Sequence, residues 1–189
     1  MMKKKEDPAI FPTSPSLVGK KIYLRPTVAD DYREIQQWRL ASDIQLISCH
    51  YYRMKSPEEM AESFRQKEKS EDGGSFVIVA KDDHRLLGQI NFFHLNMLNR
   101  SAELGYIIAP DEREQGYAKE SLKLIIRYLF NEVNLNKVYA QTASFNKASV
   151  KLLEALDFQL DGTLRQHHFY QGNFHDDFIY SLLKFECDF

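Results

Sequence analysis

Residues Ala102–Val133 read AELGYIIAPDEREQGYAKESLKLIIRYLFNEV, and their order decides the fold. Glu103–Ala109 is a predicted strand, because Tyr106, Ile107 and Ile108 are β-branched or aromatic and suit a half-buried pleated surface. Pro110 ends it, having no N–H for a ladder. A helix is predicted from about Gln115. From Ala118 onward its apolar residues fall at Leu122, Ile125, Ile126, Leu129, Phe130 and Val133, the i, i+3, i+4 pattern of one buried face.

The connecting loop is Asp111–Glu112–Arg113–Glu114–Gln115–Gly116–Tyr117–Ala118. A helix N-terminus carries unpaired N–H groups and about half a positive charge, so a tight turn into it suits an anion. Gly116 allows close backbone approach, Ala118 keeps the next turn small, and Arg113 adds a fixed positive charge. Read alone, the loop serves equally as an ordinary strand-to-helix connection. It is neither GxxxxGK[ST] nor GxGxxG.

Working outward, Lys20–Arg25 is a short strand closed by Pro26. Thr27 is the expected cap of a helix reaching about Leu40, with Tyr32, Ile35, Trp38 and Arg39 near its inner face. Ser56–Pro57–Glu58–Glu59 reads as a capping box for a second, charged helix to about Lys69. Phe76–Ala80 and Leu86–His94 form a hairpin, with Gly88 marking a bulge or a close approach. Lys137–Thr142 is expected to run parallel to Glu103–Ala109, completing a βαβ unit. Asn146 opens the last helix, with Val150, Leu153 and Leu156 as its stripe. Phe158–Tyr170 and His175–Phe185 are joined by Gln171–Gly172–Asn173. The order βααβββαβαββ predicts an α+β fold, one mixed and mostly antiparallel central sheet flanked by helices. Residues 1–18 are expected to be a flexible tail and 19–189 the domain.

Length and composition bound the function. The 189 residues can bury roughly two thirds of their unfolded surface. A net charge of −2 gives no bulk attraction to nucleic acid or to an anionic membrane. Cys49 and Cys187 make no disulfide framework, no apolar run approaches the ~18 residues of a membrane span, and the N-terminus lacks the apolar core of a signal peptide. The expected setting is cytoplasmic. No metal-ligand spacing is present, and His167 and His168, adjacent on a strand, point to opposite faces. No metal is expected.

Arg113–Glu114–Gln115–Gly116–Tyr117–Ala118 resembles the acyl-CoA signature R/Q-x-x-G-x-G/A of the GNAT superfamily of N-acetyltransferases. The flanks AELGYIIAP and GYAKESLKLII are similar to its Rim-type branch, which acetylates ribosomal-protein alanine termini or spermidine. The resemblance spans about Gly19 to Glu186 and implies a GNAT fold. It further implies acetyl-CoA as co-substrate, a small-molecule or peptide amine as acceptor, and direct attack in a ternary complex. Many relatives carry a second glycine where Glu114 stands, so its side chain is expected to face solvent.

By the same resemblance, Tyr106, Ile107, Ile108 and residues 113–118 would line the cofactor, the pantetheine arm pairing with the strand like an added strand. Glu103 is the candidate general base; a surface or salt-bridged glutamate is the alternative. Asn146–Lys147–Ala148–Ser149 followed by Leu152–Leu153–Glu154 resembles the family's second segment. The tyrosine that many members use to protonate the departing thiolate is here Leu153. Ser149 is the replacement implied by the branch, its hydroxyl on the sulfur, and Asn146 would cap the last helix and contact the pantetheine or the amide, so both would also bind the cofactor. The acceptor site would be built from Trp38 to Tyr52 and the last hairpin, with Trp38, Tyr52, Glu103, His168 and Asp176 as candidates. Protein N-termini, polyamines and amino sugars all remain open as acceptors. The rival reading is a non-catalytic acyl-CoA-binding module, favoured by Leu153 and Glu114. A homodimer is compatible with the aromatic content.

Overall fold

The computed structural model describes residues 14–43, 48–50 and 71–189, with positions 56, 59, 62, 63 and 66 between them. Tyr52 and most of the predicted second helix lie outside the described residues. Its capping box is present: Glu59 N–H donates to Ser56 Oγ (3.2 Å) and Ser56 N–H to Glu59 Oε2 (2.9 Å). Part of the expected tail is ordered into a short 3-10 turn, Pro15–Leu17, whose Leu17 is buried.

Seven strands form one sheet: β1 (Ile22–Pro26), β2 (Gly74–Ala80), β3 (Leu86–Asn96), β4 (Ser101–Ile108), β5 (Lys137–Ala143), β6 (Gln159–Tyr170) and β7 (Asn173–Leu183). Their spatial order is β1-β2-β3-β4-β5-β7-β6. Among the described strands only β4 and β5 pair in parallel, as the βαβ reading requires. β7 lies between β5 and β6, so the terminal hairpin folds back into the sheet. Its loop is just Gln171 and Gly172, both at positive φ, the geometry of a tight two-residue hairpin; Asn173 already belongs to β7.

Three helices are described: α1 (Tyr32–Leu40), α2 (Tyr117–Asn131) and α3 (Lys147–Glu154). Leu122, Ile125, Ile126 and Leu129 of α2 are fully buried against Leu24, Ile78, Ile90 and Ile108. Each such side chain contributes about 1.5–3 kcal/mol relative to exposure. The other sheet face packs Tyr23, Val77, Val79 and Ile107 against Ile35 and Trp38 of α1. Ile107 and Ile108 thus serve opposite layers, as strand alternation dictates.

Thr27 does not cap α1. Its hydroxyl bonds Ser75 Oγ (2.8 Å), and the turn into the helix is closed by Asp31, which accepts from the Val28 N–H (2.8 Å). Arg25 donates to both carboxylate oxygens of Asp31 at 2.8 Å, a buried bidentate pair between β1 and the start of α1. Gly88 meets both sequence readings. The β2–β3 register shifts beside it, and a Cβ there would stand 2.4 Å from the Ile107 carbonyl oxygen.

Candidate active site

β4 and β5 pair only at Ser101↔Lys137, Ala102↔Val138 and Glu103↔Tyr139. Beyond Glu103, β4 keeps β3 on one side and β5 keeps β7 on the other, and the two strands part. The sheet therefore opens into a wedge with Glu103 at its apex. The facing edges carry backbone groups able to pair with an extended ligand.

Helix α2 begins beside this wedge. Gly116 stands at its N-cap with φ +85°, and a Cβ there would meet nothing within 4 Å. Glycine adopts the left-handed backbone without strain, while the space in front stays open for a ligand. Glu114, also left-handed at φ +62°, is exposed, as expected; that conformation explains why glycine suits the position. Gln115 is exposed, and Tyr117 and Ala118 are half-buried. Arg113 is exposed but engaged: Nη2 donates to Ser42 Oγ (2.7 Å) and Nε to the Ile108 carbonyl (3.4 Å). Gly116→Val is expected to weaken acetyl-CoA binding at least about tenfold, since a left-handed non-glycine costs about 1–2 kcal/mol. Calorimetric titration with acetyl-CoA checks it.

Glu103 is 5% exposed. Its Oε2 lies 3.0 Å from His94 Nδ1 and its Oε1 3.2 Å from His50 Nε2. An ionised carboxylate only accepts, so each facing nitrogen then carries its proton. His94 reaches Glu103 because β3 breaks register between Phe93 and Asn96, and His94 takes φ +51° in that irregularity. Such breaks re-aim side chains. Sequence reading missed both histidines as partners of Glu103. No glycine lies next to His94, so the local sequence carries no mark of this bulge.

Across the wedge, Tyr106 Oη and Ser149 Oγ are 2.9 Å apart. Burial pushes the Tyr106 phenol up to about 12, the Ser149 hydrogen bond opposing the rise. It keeps its proton at neutral pH; the associated stability is full below the ordinary phenol range and is lost as pH climbs towards 12. Asn146 caps α3, its side-chain oxygen accepting from the Ser149 N–H (3.2 Å), and so sets where Ser149 stands. Leu153 is fully buried in the core, while Asp157 takes φ +62°, a left-handed value that aspartate tolerates better than most residues. Glu103 and Tyr106, three apart on one strand, project to opposite faces. The wedge thus has a carboxylate on one face and a hydroxyl pair on the other.

The acceptor candidates disperse. Trp38 is buried in the apolar cluster beneath α1. Asp176 uses Oδ1 to accept the Gln166 N–H (2.8 Å), holding a bulge in β6. His168 is 7% exposed, with Nδ1 3.2 Å from Oδ1 of the fully buried Asp177. Cys49 joins them. Burial pushes its thiol up to about 12, and the neighbouring Asp177 carboxylate adds to the rise. The three residues are remote in sequence, so local ligand spacing could not reveal them.

Known proteins resemble this chain in both sequence and fold. The acetyltransferase (GNAT) domain model matches residues 21–159. The uncharacterised N-acetyltransferase p20 of Bacillus licheniformis is 34% identical over 111 residues, covering 59% of this chain and 62% of that protein. The spermidine N(1)-acetyltransferase of Vibrio cholerae is 31% identical over 125 residues, covering 63% of this chain and 72% of that one. A solved structure of spermidine N-acetyltransferase from Vibrio cholerae in complex with CoA and spermine superposes with a TM-score of 0.80 at 25% identity, covering 88% of this chain and 97% of that one. With most of its sheet, the signature loop and the wedge inside the matched span, this chain belongs to the GNAT acetyltransferase family.

Proposed function

We propose that this chain moves an acetyl group from acetyl-CoA to a primary amine of a small cationic molecule, the polyamine class first, by direct attack in a ternary complex. The observation that carries the reading is the wedge with Glu103 at its apex. The pantetheine arm would pair with the open edge of β4 beside Tyr106, Ile107 and Ile108. The pyrophosphate would lie over residues 113–118 at the N-terminus of α2, where unpaired N–H groups favour an anion.

The amine must lose a proton to attack, and Glu103 would take it, directly or through one water. His94 and His50, both solvent-exposed beyond the buried carboxylate, would carry that proton outward. The departing thiolate needs a proton on the opposite face, where Tyr106 and Ser149 stand. A CoA-type thiol has an ordinary pKa of about 8.5, so a neutral hydroxyl hydrogen-bonded to the sulfur is sufficient. This pair supplies what Leu153 lacks and favours catalysis over the binding-module reading. The buried Glu103 carboxyl group at the apex of the wedge favours a cationic acceptor. Reduced Cys49 and Cys187 fit a cytoplasmic setting. Exposed Leu160, Leu164, Phe169 and Phe174 on the last hairpin are the residues that an interface between two copies would bury.

Thiol release from acetyl-CoA with a panel of amines tests the reading. Saturable release with spermidine-class amines is expected. Binding of acetyl-CoA without turnover on any polyamine, amino sugar or peptide N-terminus would instead establish the binding module. Ser149→Ala is expected to lower kcat about tenfold, the worth of one hydrogen bond of about 1–1.5 kcal/mol, with the acceptor KM unchanged. An unaltered kcat in steady-state kinetics would remove that hydroxyl from the reaction.

A further inference from the structure

Three side chains from separate elements meet beside the end of β5, where Ala143 pairs with Asp177. Cys49 comes from the segment after α1, His168 from β6 and Asp177 from β7. Their sulfur, nitrogen and oxygen donors all lie within 4.8 Å of one another. Asp177 is fully buried, and its Oδ1 has no hydrogen bond of good geometry among the described residues, although His168 Nδ1 stands 3.2 Å away and the Cys49 thiol lies against the carboxylate. Its other oxygen, Oδ2, accepts from Gln141 Nε2 (2.7 Å). A buried carboxylate oxygen without a well-formed hydrogen bond costs about 1–3 kcal/mol or more.

A cation answers that cost. Zinc takes thiolate sulfur at about 2.3 Å and imidazole nitrogen or carboxylate oxygen at about 2.0–2.2 Å, in a tetrahedron whose N···O edge is then about 3.3 Å. The His168–Asp177 separation already matches that edge, and the sulfur needs only a modest contraction to join it. The surroundings are those of ligands held in place. Gln141 orients the carboxylate, and the Phe145 ring stands edge-on to the His168 imidazole with centroids 5.1 Å apart. Cys49 is only partly buried, which leaves an entry path.

We propose that Cys49, His168 and Asp177 bind a divalent transition-metal ion of the zinc class, with a fourth position for water or another ligand. The ion ties the segment after α1 to the terminal hairpin. Cys49 is adjacent to His50, so the same clamp holds the His50 imidazole against Glu103. The proposal is independent of the acceptor's identity, and its test reads metal rather than turnover.

The full chain, stripped with a chelator, is titrated with cobalt(II) as spectroscopic probe and then with zinc(II). The expected result is one equivalent bound, with the intense thiolate-to-cobalt charge-transfer band and the visible ligand-field bands of a tetrahedral ion, both displaced by zinc. Cys49→Ser should lose the charge-transfer band. Asp177→Asn should weaken cobalt binding at least about tenfold, and Cys187→Ser should change neither. The wild-type spectrum is decisive even if a variant folds poorly. No charge-transfer band in the wild type, or a band that survives in folded Cys49→Ser, overturns the proposal.

Discussion

Glu103→Gln is expected to lower kcat by about 10²–10⁴-fold, the range for loss of a positioned general base, while acetyl-CoA affinity stays nearly unchanged. The change keeps the side chain's size and removes only its basicity. Glu103 points to the face of β4 opposite Tyr106, so the open edge of β4 and the loop around Gly116 are untouched. The two imidazoles that meet its oxygens at 3.0 and 3.2 Å must readjust, because an amide offers them one acceptor instead of two. A base used only in the transition state lowers kcat and kcat/KM together. The acid limb of the pH–rate profile should disappear with it. His94→Gln should leave binding intact and slow turnover less, because it removes a path for the proton and not its acceptor. Turnover within about twofold of wild type in Glu103→Gln, with the profile preserved, would assign deprotonation to water alone.

The largest stability effect is expected from Arg25→Met, at about 3–5 kcal/mol. The guanidinium holds both oxygens of Asp31 at 2.8 Å, and Asp31 is 5% exposed. Methionine fills much of the volume but leaves the carboxylate buried without its cation, the Val28 N–H still donating to Oδ2. The cost is that of an uncompensated buried charge. Replacing both partners together with apolar residues should recover much of the loss, since an intact buried pair is itself worth little over good packing. For a chain of this length the single change should lower the melting temperature by roughly 10 °C, read by calorimetry. A shift within about 2 °C would mean that water reaches Asp31 and the pair is not truly buried.

Features carried by a few neighbouring residues are legible in the sequence alone. The stripe of α2 needs only its own periodicity, and Leu122, Ile125, Ile126 and Leu129 are buried as that pattern requires. Left-handed backbone suits the residue type at Gly116 and Gly172 but is unannounced at His94, Glu114 and Gln171. Pro110 stops β4 within one residue of the expected end. The cap at Asn146 follows from side-chain reach alone. Thr27 shows the limit of such reasoning: its composition suits a cap, but β2 supplies a better partner in Ser75, and the distant pairing wins.

The sequence by itself determined the order of strands and helices, the glycine turn into α2, and the residue types available for acid–base chemistry, because each rests on interactions within about one helical turn or one hairpin. Only the tertiary structure decided that β7 slots between β5 and β6, that β4 and β5 part after Glu103, and that the bulge in β3 turns His94 onto that carboxylate. It alone gathered Cys49, His168 and Asp177. Those outcomes depend on strand register and on which distant surfaces exclude water together, and no window of local sequence contains either.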